Sequence, residues 1–470
     1  MHRFTQAGLK LSAVIIAILF IVSCSTVNNA LHTATGFSAK NICSGHFVSG
    51  FSQQQIMQQA LIPISQTFRL VGVSIDQEQQ FVDTEILLSH SRRAVYKDGI
   101  GCILLPPGEK QLSFKLPAKR TNGLYHNQDS KLEWPLGLAA IATNELTSRQ
   151  KSISHIVEDH FHLSKQDPDL RTKALLVIHE GKLIAEHYAE GVDPSTPLLS
   201  WSMAKSITNL QVGLLVKQGQ LSLHNPVDVP GWDNEKYQHI NLDNLLTMTS
   251  GLEFDETYGI GGDAALMLSV VPDVDAFARN KPVIHPAGEH WYYSSGTTNI
   301  ISGIIRRSFG DDSQGYLNFT FDNLFKPLGI DSAVLEMDSA GNFIGSSYMY
   351  ASARDWAKIG QMLLQNGSWN GETILPSSWI EYSKIPAPAN TSNRYGAHFW
   401  LNRNPKNADQ KRFWPEIPED AFYMSGFQGQ RVVMIPSKQL VFVRLGYTTP
   451  KYSTKLDVLM KNVITALESD

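Results

Sequence analysis

Cysteine is scarce in this chain: 3 of its 470 residues, Cys24, Cys43 and Cys102. So few exclude a disulfide-dense scaffold and leave material for a single bridge. Charge is thin as well, 18% of residues with a formal balance of −4. There is no basic run and no aromatic-basic stripe, so nucleic acid is not an expected partner. No internal repeat or low-complexity tract appears. No G-x-S-x-G elbow appears either, which argues against a Ser-His-Asp hydrolase. His155, Glu158, His160 and His162 invite a metal but fit neither H-E-x-x-H nor H-x-x-E-H, because Asp159 stands where the second histidine is needed. They read as a solvated helix, and no metal or cofactor is expected.

A long apolar run is also missing. The longest near the N-terminus, Leu11 to Val22, is about a dozen residues behind a mildly basic start at His2, Arg3 and Lys10. That is short for a bilayer span and right for an export signal, so 1–24 is expected to be a signal segment. Ile21-Val22-Ser23-Cys24 resembles a bacterial lipobox, although Ile21 and Val22 stand where Leu and a small residue are commoner. Lipidation of Cys24, and a periplasmic, membrane-anchored protein, are the expectation. A plain secretory signal or a retained anchor helix are the other readings. With Cys24 so used, Cys43 and Cys102 remain as a pair in an oxidising compartment, and a disulfide between them is predicted.

The chain does have ample core, 42% hydrophobic residues, enough for one large domain or two ordinary ones. Residues 25–40 are small and polar without periodicity and read as a tether. Short strand-like runs at Phe47–Gly50, Leu70–Ile75 and Gly101–Leu105 suggest a small N-terminal α/β domain over 41–125, closed by the cysteine pair. A connector with a helical middle follows over 126–170. From 171 to 470 the pattern is one catalytic unit: a hairpin across Glu180-Gly181-Lys182, a long helical insert, a second hairpin over 431–445 and a final helix near 455–467.

The stretch around which this unit is organised is Ser202-Met203-Ala204-Lys205. On a helix the serine and lysine lie on one face, one turn apart. The following residues to Val216 carry no charge, and Met203, Ile207, Leu210 and Leu214 form an apolar stripe, so the helix is expected to be buried. Burial lowers a lysine's pKa and makes it a base near neutrality, while the free N–H groups of a helix start favour negative charge beside Ser202. A serine with a base one turn away is the minimum kit for acyl transfer. The bland alternative is a capping serine and a solvated lysine.

Its companions decide between them. Ser202-Met203-Ala204-Lys205, then Leu245-Leu246-Thr247-Met248-Thr249-Ser250-Gly251-Leu252, then Pro286-Ala287-Gly288-Glu289-His290-Trp291-Tyr292-Tyr293-Ser294-Ser295, in that order, resemble the serine β-lactamase-like hydrolases, most of all the class C branch of esterases, D-amino-acid peptidases and 6-aminohexanoate-dimer hydrolases. Pro327-Leu328-Gly329-Ile330, Ala353-Arg354-Asp355 and Gly367-Ser368-Trp369-Asn370-Gly371 extend the likeness over nearly all of 171–470.

The resemblance implies an α/β (α+β) fold of the β-lactamase/transpeptidase type, an antiparallel sheet flanked by helices plus an all-helical lobe. It implies Ser202 as nucleophile, Lys205 as its base and Tyr293 as the phenol beside the lysine. Met424-Ser425-Gly426 maps onto the family's third motif, with Gly426 admitting substrate and the N–H of Phe427 joining that of Ser202 in an oxyanion hole. Two departures matter: Met424 replaces a cation that receives a substrate carboxylate, and Ser295 replaces an asparagine that contacts the acyl amide. Both favour carboxylic esters or small amides without an acidic tail over β-lactams or peptidoglycan stems. The expected activity is therefore a serine hydrolase of small esters or amides. The alternatives are a β-lactamase or DD-peptidase, and a catalytically silent envelope binding protein.

Overall fold

The computed structural model describes residues 27–87, 90–113, 133–137, 139, 141, 146–259, 261–407 and 409–469. The expected signal segment and Cys24 lie outside them.

Strands β5 (Thr172–His179) and β6 (Lys182–Tyr188) form the first hairpin. Glu180 and Gly181, the two residues of its turn, both take positive φ, 50° and 76°, as a two-residue hairpin turn demands. Three further strands come from the far end of the chain: β8 (Phe422–Gly426), β9 (Gln430–Ile435) and β10 (Leu440–Gly446). With the short β7 (Trp400–Leu401) they make a six-stranded antiparallel sheet in the order β7-β8-β9-β10-β5-β6. Both faces are covered, so the strands read as unbroken apolar runs. Alternation then sorts them: Leu175 and Val177 face one core, Ala174, Leu176 and Ile178 the other.

The first face carries helices α2 (Ser148–Gln166) and α6 (Leu456–Glu468), through Ile153, Val157 and Phe161 on one and Leu459, Met460 and Val463 on the other. The helical middle of the supposed connector is therefore a layer of the catalytic unit. His160 is buried against Thr172, while His155 is exposed, so the histidines of α2 point to different environments. The other face holds α5 (Ala353–Leu364) and the helical lobe, in which α3 (Ala204–Lys217) and α4 (Ser295–Arg307) pack together.

The N-terminal expectations need correction. Residues 27–47 form one helix, α1, with Ala34, Thr35, Ser38, Ala39, Lys40, Ile42 and Cys43 buried. Small residues that read as a polar tether are there because the helix runs close to its neighbours. A Cβ on Gly36 would stand 2.0 Å from the carbonyl oxygen of Ser269. Phe47 ends this helix and is not in a strand. Beyond it β1 (Gly72–Asp76), β2 (Phe81–Ile86), β3 (His90–Lys97) and β4 (Gly101–Leu104) make an antiparallel meander. Cys43 on α1 and Cys102 on β4 are bonded, with Cα atoms 6.0 Å apart. This layer is not a separate accessory domain: Ala39, Ile42, Cys43 and Cys102 share one core with Leu199, Trp201 and Ile207.

Candidate active site

The serine stretch begins where a short strand, Leu198–Leu199, gives way to a 3-10 turn at Trp201–Met203 and then to α3. Ser202 lies in that turn, immediately ahead of the helix. Every residue of α3 from Ala204 to Leu215 is buried. Its polar side chains are satisfied: Ser206 Oγ donates to the His398 carbonyl at 2.6 Å, Asn209 Nδ2 to the Ala397 carbonyl at 2.9 Å and Gln211 Nε2 to Thr320 Oγ1 at 2.6 Å.

Lys205 is 1% exposed. Its Nζ reaches three oxygens, Ser202 Oγ at 3.2 Å, Ser295 Oγ at 2.9 Å and the Ser346 carbonyl at 3.0 Å. Desolvation lowers its pKa to about 8, against the pull of Glu256, whose charge acts to raise it. Tyr293 comes from the loop before α4, anchored by Ser294, whose Oγ caps the helix at Thr297 N–H. Its ring stacks edge-on against Tyr395 and tilts on Trp400, and the lysine Nζ stands 4.8 Å above its centre. Burial first and the Glu256 charge second push the pKa of the phenol well above the usual value, against a smaller opposing effect of Ser202, so it stays protonated at neutral pH. The three expected groups are thus together, with the lysine as the base and the phenol as a donor.

Glu256 is the residue sequence reasoning missed. Half-buried in the loop after Gly251, it accepts from Ser295 N–H at 2.7 Å, Ser295 Oγ at 2.6 Å and Tyr258 Oη at 3.1 Å. A hydrogen-bonded chain therefore runs from Ser202 through Lys205 and Ser295 to Glu256. Burial raises the pKa of Glu256, while the Lys205 charge and the hydrogen bonds from Ser295 oppose the rise. The only hint in the sequence was a carboxylate five residues beyond the Ser250-Gly251 motif, which nothing marks as special.

Ser295 itself is a correction. It is fully buried behind Lys205, engaged at both ends, and does not line the cleft, so it is no contact for substrate. The cleft holds about 530 Å³ and is lined by Ser202, Glu256, Tyr293, Ser425, Phe427 and Arg431 among others. Gly426 lines it too, but its missing side chain serves the protein: a Cβ there would meet the Ser200 carbonyl oxygen at 2.1 Å. The strand needs glycine to lie against the serine turn.

Met424, one residue out of phase with Ser425, points into the core and is not in the cleft. A cation is supplied from the next strand. Arg431, paired with Ser425 across β8 and β9, stands in the cleft wall, where one guanidinium nitrogen donates to the carbonyls of Gly426 at 3.0 Å and Gln430 at 2.7 Å. The expectation of a cleft without a cation, drawn from Met424, does not hold.

Comparison with known proteins agrees with this architecture. The family model described as Beta-lactamase matches residues 158–460. A 6-aminohexanoate-dimer hydrolase of Paenarthrobacter ureafaciens is 25% identical over 292 residues, 58% of this chain and 72% of that protein. A Bacillus anthracis structure provisionally assigned as a 6-aminohexanoate-dimer hydrolase is 22% identical at a TM-score of 0.54, covering 65% of this chain and 81% of its own. EstCE1, described as a hydrolase with promiscuous acyltransferase activity, shares 13% identity at a TM-score of 0.52 over 69% of this chain and 100% of its own.

Proposed function

Because this chain belongs to the beta-lactamase family and is a serine hydrolase of that superfamily, we propose that it cleaves carboxylic esters or small amides through an acyl-enzyme on Ser202. The observation that carries the reading is the contact of Lys205 Nζ with Ser202 Oγ, 3.2 Å, at a lysine whose pKa is lowered to about 8. Roughly a tenth of such a lysine is neutral at pH 7, enough for a general base.

Ser202 Oγ attacks the substrate carbonyl and its proton passes to Lys205 Nζ. Collapse of the tetrahedral intermediate breaks the ester or amide bond. The Tyr293 phenol donates a proton to the departing oxygen or nitrogen and is reprotonated from Lys205. Water then repeats the sequence on the acyl-enzyme, with Lys205 again taking the proton. The N–H groups of Ser202 and Phe427 are assigned to the oxyanion. No step needs a metal or cofactor.

Arg431 supports a further refinement: a substrate carrying a carboxylate that reaches this side chain, as a 6-aminohexanoate dimer can, gains a cationic partner in the cleft wall. The same cation favours a second reading, β-lactam hydrolysis, since those substrates also carry a carboxylate. Turnover of nitrophenyl esters and linear amides, with a coloured cephalosporin left intact, is the expected outcome. Rapid cephalosporin turnover would move the assignment to the second reading.

Ser202→Ala is expected to abolish fluorophosphonate labelling without lowering the melting temperature, and Lys205→Ala to slow acylation by orders of magnitude. Labelling that survives in Ser202→Ala would overturn the proposal. Export and lipid anchoring at Cys24 belong to the same proposal, and mass spectrometry of the mature N-terminus tests them.

A further inference from the structure

The layer formed by residues 27–70 precedes the family match at 158–460, yet it touches both backbone turns that frame Ser202. Phe37 of α1 stacks flat on Trp201, ring centres 5.9 Å apart at 9°. Trp201 is the residue before Ser202, is buried, and holds φ at +47°. Its ring also meets Phe427 edge-on at 5.7 Å. Across the cleft, Gln428 follows Phe427, is buried, and holds φ at +57°. Left-handed backbone at two non-glycine residues persists only where surroundings hold it.

One side chain ties these points together. Gln428 Oε1 accepts from Trp201 Nε1 at 3.2 Å, and Gln428 Nε2 donates to the carbonyl of Ala60 at 3.1 Å. The carbonyl of Gln428 is itself fixed, accepting from Thr448 N–H at 3.1 Å and from Arg444 at 3.2 Å. Both ends of its amide are used, where the serine turn, the β8–β9 turn and the N-terminal layer meet.

We propose that the N-terminal layer is a positioning element for acyl transfer, acting through Gln428 and Trp201. The Trp201–Ser202 peptide carries the Ser202 N–H, and the turn that Gln428 stabilises carries Phe427. Moving either one misaims a donor against the developing oxyanion while leaving the rest of the cleft intact. The inference rests on the acyl-enzyme reading above, and it assigns the layer a part in rate rather than in substrate binding.

The test is steady-state hydrolysis of a nitrophenyl ester by the full chain and by Trp201→Phe, Gln428→Glu, Gln428→Met and the Trp201→Phe/Gln428→Met double variant. Gln428→Glu keeps the acceptor for the indole and loses the donor to Ala60, which isolates the N-terminal link. Gln428→Met keeps the length and loses both bonds, and stands in should the buried glutamate prevent folding. Each single variant is expected to lose roughly 10- to 100-fold in kcat with KM within about twofold. The double variant is expected to be no worse than its worse parent, because the bond lost in Trp201→Phe is one of the two already lost in Gln428→Met. Unchanged kcat, a change confined to KM, fully multiplicative losses, or collapse of the fold in every variant would each overturn the proposal. Absence of Ser202-dependent turnover in the unmodified chain would instead overturn the acyl-enzyme reading, and this inference with it.

Discussion

At the scale of single residues, the chemistry turns on how the charge of Lys205 is set. Burial drives its pKa down, and the Glu256 carboxylate, two hydrogen bonds away through Ser295, pulls it back up. The base form is needed for acylation, so the rate is expected to rise with pH and level off above about 8. Glu256→Gln keeps an acceptor for Ser295 but removes the negative charge. The protonated lysine loses its counter-charge, its pKa falls further, and the inflection of the pH–rate profile moves to lower pH. A profile of kcat/KM between pH 5 and 10 reads this directly. An inflection that stays in place or moves upward would show that Glu256 does not tune the base. The carboxylate's position explains why sequence hid it: its partners lie 39 residues away at Ser295 and 51 away at Lys205, and only the fold joins them.

At the scale of elements, periodicity carried far. The uncharged helix after Ser202, the Glu180-Gly181 hairpin, the C-terminal hairpin and the last helix were all legible, because a buried stripe or a two-residue turn leaves a local mark. What one strand does to another left none. Gly426 reads equally well as a gap for substrate or a gap for backbone, and only its neighbour Ser200 decides. Gly426→Ala is therefore expected to cost about 1–3 kcal/mol through overpacking and to reduce acylation, since β8 must withdraw from the serine turn. Gly259→Ala, at a glycine with open space around it, is the control and is expected to leave the melting temperature unchanged. Equal melting temperatures for the two variants would sink the argument. Met424 and Arg431 teach the same lesson: motif position named the wrong side chain, and strand phase plus cross-strand pairing supplied the right one.

For the whole molecule, the question is whether the N-terminal layer and the catalytic unit are one cooperative body. Composition suggested two, since small polar residues between 25 and 40 look like a spacer. The structure joins them by a shared apolar core and by a buried ion pair, Lys40 Nζ to Glu336 Oε2 at 2.8 Å, with side chains 1% and 0% exposed. Glu336 Oε1 also accepts from Ser44 Oγ at 2.7 Å and Cys102 N–H at 2.6 Å, while Lys40 donates to the Cys102 carbonyl. The pair therefore sits beside the Cys43–Cys102 bond, so covalent and ionic ties meet at one place. Such a pair adds little over an apolar replacement, but breaking it strands a charge. Glu336→Gln retains the Oε1 acceptor and removes only the charge, leaving Lys40 buried and unpaired; a loss of about 3–5 kcal/mol is expected. Lys40→Met in that background removes the stranded ammonium and is expected to restore much of the loss. Because the ion pair and the core are shared, the loss should appear as a downward shift of one unfolding transition. Near-ultraviolet circular dichroism and calorimetry on the same samples decide it. A second transition splitting away at low temperature in Glu336→Gln would mean that the N-terminal layer melts alone, and that the two parts are neighbours and not one body.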